Sequence, residues 1–107
     1  MKVVARYDVY ANPDPAERKR TPYLLDVQND YIDALTTRVV VPLQREAAFG
    51  PRARNFNPAF LVMAESVVLD TAALAAVPLS ELKKRVATLR ESSALVQEAL
   101  DTLIGAF

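Results

Sequence analysis

Thr37-Arg38-Val39-Val40-Val41-Pro42-Leu43 is the stretch from which the fold can be read. Three consecutive valines favour an extended backbone, because β-branched side chains fit a pleated surface at little rotamer cost. Successive side chains of a strand point to opposite faces, so Val39, Val41 and Leu43 share one face and Arg38, Val40 and Pro42 the other. Pro42 donates no ladder hydrogen bond, which predicts a sheet edge or a strand end there. Towards the N-terminus, Asn29 to Thr36 leads back to a second strand, Tyr23-Leu24-Leu25-Asp26-Val27-Gln28. Before it, Ala11 to Pro22 holds Pro13, Pro15 and Pro22 around Glu17-Arg18-Lys19-Arg20 and reads as a solvated loop. The opening Lys2-Val3-Val4-Ala5-Arg6-Tyr7-Asp8-Val9-Tyr10 is rich in β-branched and aromatic residues and is expected to be a strand.

Towards the C-terminus, Gln44 to Asn57 carries two turn signatures, Phe49-Gly50-Pro51 and Asn55-Phe56-Asn57-Pro58, with a helical turn expected at Arg45 to Phe49. Ala59-Phe60-Leu61-Val62-Met63-Ala64 and Ser66-Val67-Val68-Leu69-Asp70-Thr71 read as a hairpin linked at Glu65, apolar enough to be covered on both faces. Ala72 to Leu79 is alanine-rich and broken by Pro78, and Ser80 is expected to cap a helical turn through Arg85. Thr88 and Glu91 have capping-box spacing at the start of a final helix, on which Leu89, Val96, Leu100 and Leu103 fall on one stripe. Gly105 is a helix stop, and Ala106-Phe107 form an apolar end that suggests a binding element. Five strands followed by a helix whose stripe lies on the sheet make an α+β fold.

Composition narrows the function classes. With 107 residues the chain is expected to be one domain, residues 1–107, burying roughly 65% of its unfolded surface. Its 13 basic and 13 acidic residues cancel, so no global field points to non-specific phosphate binding. There is no Cys, hence no disulfide, thiolate nucleophile or zinc-thiolate site, and no His, the commonest general base and transition-metal ligand. The apolar runs are too short to span a membrane, and a soluble cytoplasmic protein is expected.

No catalytic constellation is visible: there is no Gly-rich phosphate loop and no Ser or Thr beside a His base. No cofactor is expected. Asp26, Asp30 and Asp33 lack the Gly turn and further acidic ligand of a calcium loop and read as turn and strand-end aspartates, with no metal. By residue type, Tyr31 and Ile32 between them are expected in the core beneath the loop.

The blocks Leu25-Asp26-Val27-Gln28-Asn29-Asp30-Tyr31-Ile32-Asp33, Arg38-Val39-Val40-Val41-Pro42-Leu43 and Ala76-Val77-Pro78-Leu79-Ser80, with the closing apolar helix, resemble the CcdB toxin family of bacterial toxin–antitoxin modules. Block order, the spacing of the later blocks and total length agree, and the likeness covers most of the chain after Pro22. The loop from Ala11 to Pro22 is longer than is typical of the family. The resemblance implies a homodimer with an SH3-like barrel core, an antiparallel sheet with a C-terminal helix shared with the MazF and Kid toxins. It implies a non-enzymatic poison that binds the A subunit of DNA gyrase, traps gyrase on cleaved DNA and serves plasmid maintenance. A CcdA-like antitoxin would fold on the dimer and remove it, and DNA would be met only through gyrase.

The family's gyrase contact lies in its last three residues, Trp-Gly-Ile in the best-known member, helped by two apolar loop residues and a polar residue one helical turn earlier. Carried over by position, these are Gly105, Ala106 and Phe107 with Tyr31, Ile32 and Asp101; aligning the terminal glycines instead puts Ile104 in the Trp position. This chain has no Trp. Two other readings follow: a MazF-like endoribonuclease using Arg18, Lys19, Arg20, Arg45, Arg52 and Arg54 as phosphate contacts, and an inactive relative that retains only antitoxin binding.

Overall fold

The computed structural model describes residues 4–32 and 34–105. Among them, seven strands form one antiparallel sheet: β1 (Asp8–Ala11), β2 (Tyr23–Asp26), β3 (Thr37–Arg45), β4 (Ala59–Val62), β5 (Glu65–Leu69), β6 (Ala75–Pro78) and β7 (Arg85–Thr88). Two α-helices, α1 (Glu46–Phe49) and α2 (Ser93–Ile104), and three short 3-10 turns, Thr71–Ala73, Leu79–Glu81 and Arg90–Ser92, complete the regular structure among the described residues. The strand order is β4-β5-β3-β2-β1-β7, with β6 also paired to β3. The sheet curls into a half-barrel because β3 carries β6 over Thr37–Val40 and then β5 over Leu43–Arg45. This is the α+β architecture expected, with two more strands. No helix among the described residues is long and apolar enough to cross a membrane.

β3 is the central strand, not an edge. Its Pro42 is tolerated because of where its missing N–H points. Pro42 O accepts a hydrogen bond from Asp70 N (3.0 Å), so that residue's backbone groups face away from β2. On that side β6 has already ended and β5 pairs only from Leu43, so no acceptor is left waiting.

Each face of the sheet carries an apolar cluster. Val9, Leu25, Val41, Leu43, Val62, Val67 and Leu69 pack with Leu89, Val96, Ala99 and Leu100 in the main core. On the opposite face Tyr10, Leu24, Val40 and Leu82 form a second cluster, joined by Val77. Each fully buried Val or Leu contributes about 1.5–3 kcal/mol, so α2 is held chiefly by Val96 and Leu100. Leu103, expected on the same stripe, is exposed, and Leu89 is buried ahead of the helix rather than on it.

Several boundaries move because tertiary pairing overrides local propensity. The first strand begins only at Asp8, after a turn at Arg6–Tyr7; Lys2 and Val3 lie outside the described residues. The hairpin turns at Met63–Ala64, both left-handed (φ 53° and 64°), rather than at Glu65. These primed-turn dihedrals match the twist of the flanking strands. β4 is not covered on both faces, since Leu61 is exposed. Ala75–Pro78, read as a broken alanine-rich segment, is strand β6, drawn out by the free edge of β3 and the burial of Val77. Ser80 caps nothing: the turn Leu79–Glu81 starts behind Pro78 without a side-chain cap, and Arg85 enters β7.

The Thr88–Glu91 capping box is likewise not formed. Thr88 ends β7 opposite Asp8, and its Oγ1 accepts the Arg90 N–H at 3.3 Å. A turn at Arg90–Ser92 then leads into α2.

Candidate functional site

The connection from β2 to β3 is a loop held at its base by charge and at its tip by short-range hydrogen bonds. Asp26 and Arg38 lie on one face of adjacent strands, where Arg38 Nε donates to Asp26 Oδ2 (2.8 Å) and Nη2 to Oδ1 (2.9 Å). The pair is 0% and 4% exposed. A bidentate fork of this kind fixes orientation as well as distance. Arg38 Nη2 also reaches Gln28 O (3.3 Å) and Asp30 Oδ1 (3.2 Å), so one guanidinium ties the loop's entry to its exit. Gln28 spans the loop from inside: its Oε1 accepts from Val39 N (3.0 Å) and its Nε2 donates to Ile32 O (2.8 Å). At the tip, Asn29 Oδ1 accepts from Tyr31 N (2.9 Å) and Asn29 O from Ile32 N (3.0 Å), closing an Asx-type turn.

The effect is to push two large apolar side chains outward. Tyr31 is 94% exposed and Ile32 50%, so neither is a core residue beneath the loop. The backbone hydrogen bonds at both residues orient their side chains away from the sheet, and the loop's interior is filled by Gln28 and Arg38 instead.

Arg6 connects this loop to α2. Tyr7 adopts a left-handed backbone (φ 73°), uncommon for an aromatic residue, and is fixed there by Tyr7 N to Asp26 O (2.7 Å) and Leu89 N to Tyr7 O (2.8 Å). The turn brings Arg6 N to Asp30 Oδ1 (2.9 Å), Arg6 Nε to Val27 O (3.1 Å) and Arg6 Nη2 to Gln97 Oε1 (2.8 Å). The guanidinium sits 4.9 Å from the Tyr7 ring centroid, a cation–π contact. Gln97 in turn donates Nε2 to Asp101 Oδ1 (2.8 Å), one helical turn on. An unbroken polar chain therefore runs Asp26–Arg38–Asp30–Arg6–Gln97–Asp101.

Past Asp101 the helix closes at Gly105 (φ 78°), whose N–H bonds Asp101 O at 2.8 Å. That left-handed cap suits glycine because it lacks a Cβ. Ile104, one residue before it, is 73% exposed. Ala106 and Phe107 lie outside the described residues, as does Asp33.

Burial pushes the Asp26 carboxyl above its ordinary 3.8, although the Arg38 hydrogen bonds and charge pull the other way. Burial alone would lower Arg38, but the bonds and charges of Asp26 and Asp30 outweigh it and keep the guanidinium firmly protonated. The chain of residues thus links charged and amide side chains through hydrogen bonds from β2 to α2. It presents a rigid surface with apolar projections, suited to binding a partner.

Of the residues singled out from the sequence, Asp101 is the end of the Arg6 chain, Tyr31 and Ile32 follow its loop member Asp30 in sequence, and Ile104 and Gly105 lie past Asp101 at the end of α2. Arg6 and Gln97 were not foreseen: they are 91 positions apart and meet only because Tyr7 reverses the chain. Asp26 and Arg38 carried a usable signal, since opposite charges fall on one face of neighbouring strands.

Of the basic residues named as phosphate contacts, Arg52 and Arg54 line one cleft, and Arg45 bonds the backbone of Lys19 and Arg20. Arg45 is ion-paired with Glu65 and donates to Lys19 O, Arg52 donates to Asn57 O, and Arg18 donates to Asn12 O. Among the described residues no group of three or more acidic side chains could hold a metal ion.

A family model described as CcdB protein matches residues 6–105, nearly the whole chain. Comparison with curated proteins gives no match.

Proposed function

Because the chain belongs to the CcdB family, the toxins of toxin–antitoxin modules, we propose that it poisons DNA gyrase through the surface formed by Tyr31, Ile32, Asp101, Ile104 and the tail Gly105-Ala106-Phe107. The observation that carries this reading is the Arg6 bridge, which holds an apolar loop tip and the last turns of α2 in one fixed relation. Exposed apolar anchors on a rigid frame bind without the ordering cost of a floppy loop.

The target is the A subunit, met by a homodimer that presents two copies of the surface to the paired subunits. Helix α2 and its approach are acidic, with Glu91, Glu98 and Asp101 and no Lys or Arg after Arg90, which favours an arginine-bearing partner. With no Trp in the chain, Phe107 supplies the aromatic contact, and a ring over a guanidinium is worth about 0.5–2 kcal/mol. A CcdA-like antitoxin neutralises the dimer, and DNA is engaged only through gyrase.

Inducible expression in a bacterium tests this surface. Wild type is expected to arrest growth, and Tyr31→Ala with Ile32→Ala, or removal of Ala106 and Phe107, to relieve the arrest while soluble protein persists. Full toxicity in both variants would remove this surface from the mechanism.

A further inference from the structure

A second surface lies at the other end of the short strands that carry the candidate site. A cleft of about 560 Å³ opens there between Ala11, Tyr23, Met63 and Lys84. β1 runs from Asp8 beside the Arg6 turn to Ala11 in the cleft wall, a separation of about 10–13 Å at 3.3 Å per residue. The cleft shares no lining residue with the proposed gyrase-binding surface.

Its walls have a definite chemistry. Tyr23, Met63, Val86 and Pro13 supply apolar surface, while Arg18, Lys83 and Lys84 place three cations against one carboxylate, Glu81. None of the three cations belongs to a salt bridge among the described residues. Their backbone is anchored, with Leu82 between Glu81 and Lys83 fully buried and Ala11 N bonding Lys84 O (2.9 Å), and the Arg18 guanidinium is itself held by Nε donating to Asn12 O (2.6 Å). Three cations against a single carboxylate leave a local positive excess, and an incoming anion relieves the repulsion among them. In a chain whose total charge is zero, such a local excess is a feature of this place and not of the whole surface.

We propose that this cleft docks a linear acidic peptide segment that alternates carboxylate and apolar side chains. The apolar walls take the aliphatic groups and Arg18, Lys83 and Lys84 the carboxylates. A nucleic acid fits less well. Three cations form too short a row to follow a phosphate backbone, and Tyr23, which reaches Glu65 with its hydroxyl at 3.5 Å, is only part-exposed for base stacking. This assignment is independent of the gyrase reading.

Fluorescence anisotropy of the purified chain with three labelled probes tests it: a synthetic peptide alternating Glu and Leu, the same peptide with Gln for Glu, and oligo-dT. The Glu peptide is expected to bind, to weaken as salt is raised, and to lose about tenfold in affinity with Lys83→Gln/Lys84→Gln, the scale of one to two partly exposed charge contacts. Both lysines are exposed, so this variant should keep the wild-type circular dichroism spectrum and growth arrest. A second variant, Met63→Glu, places a carboxylate in the apolar wall and is expected to reject the same peptide. Equal binding of the Gln peptide, binding unchanged by both variants, or preference for oligo-dT would each overturn the proposal.

Discussion

Replacing Arg38 by Met isolates the interaction on which the loop stands. Methionine retains a long apolar stem, so little cavity is created, but both Asp26 carboxylate oxygens lose their guanidinium bonds at 2.8 and 2.9 Å. Gln28 N remains as a donor to Oδ1 at 3.0 Å. A carboxylate at 0% exposure with no cation beside it makes the loss of one partner cost about 3–5 kcal/mol, against about 5–15 kcal/mol for a whole domain. Asp26→Leu with Arg38→Met removes both charges and should cost far less than the single change, because no uncompensated charge is left buried.

Urea unfolding across pH measures both effects. Without Arg38, the Asp26 carboxyl, already pushed above 3.8, should rise further. A carboxyl raised in the folded state contributes stability that is present below about pH 3.8 and lost as pH rises through its folded-state value. The deficit of Arg38→Met relative to wild type should therefore widen from acid towards neutral pH. A deficit below about 1 kcal/mol at neutral pH, one that does not change with pH, or a double variant as unstable as Arg38→Met would refute this account of the pair.

Arg6→Ala removes the donors to Val27 O and Gln97 Oε1, and is expected to cost about 1–3 kcal/mol by thermal unfolding and to weaken growth arrest more than that loss explains. Tyr31→Ala, at an almost fully exposed position, should leave stability within about 0.5 kcal/mol while reducing toxicity, as read by unfolding and growth together. Leu100→Ala, in the main core beneath α2, should cost about 2–5 kcal/mol in urea unfolding. Ala64→Gly relieves a left-handed alanine in the hairpin turn and should stabilise by about 0.5–1 kcal/mol in the same measurement.

The elements that could be read from sequence are those whose pattern is local. The alternation of Thr37 to Leu43, the valines of β5 and the 3.6-residue repeat of Val96 and Leu100 each announce their own conformation. What escaped depends on neighbours. Ala75–Pro78 has weak strand propensity and becomes β6 only because β3 offers an unpaired edge. Pro42 looked like a sheet limit because its own dihedral was legible, while the gap between two successive partners that accommodates it was not.

At the candidate site, Tyr31 and Ile32 stood out as large apolar residues in a polar loop, but residue type alone placed them inside. Their exposure follows from Gln28 and Arg38 occupying the loop's interior, a long-range arrangement. The Arg6–Gln97 contact is likewise invisible at a separation of 91 residues, and it depends on one left-handed residue, Tyr7.

The most direct measurement is a gyrase assay with the purified protein, following supercoiling and the gyrase-linked DNA cleavage product. Wild type is expected to suppress supercoiling and accumulate cleaved DNA, and Tyr31→Ala combined with Ile104→Ala to do neither while remaining folded. Undiminished supercoiling with no cleaved DNA, from a preparation that arrests growth on expression, would contradict gyrase as the target.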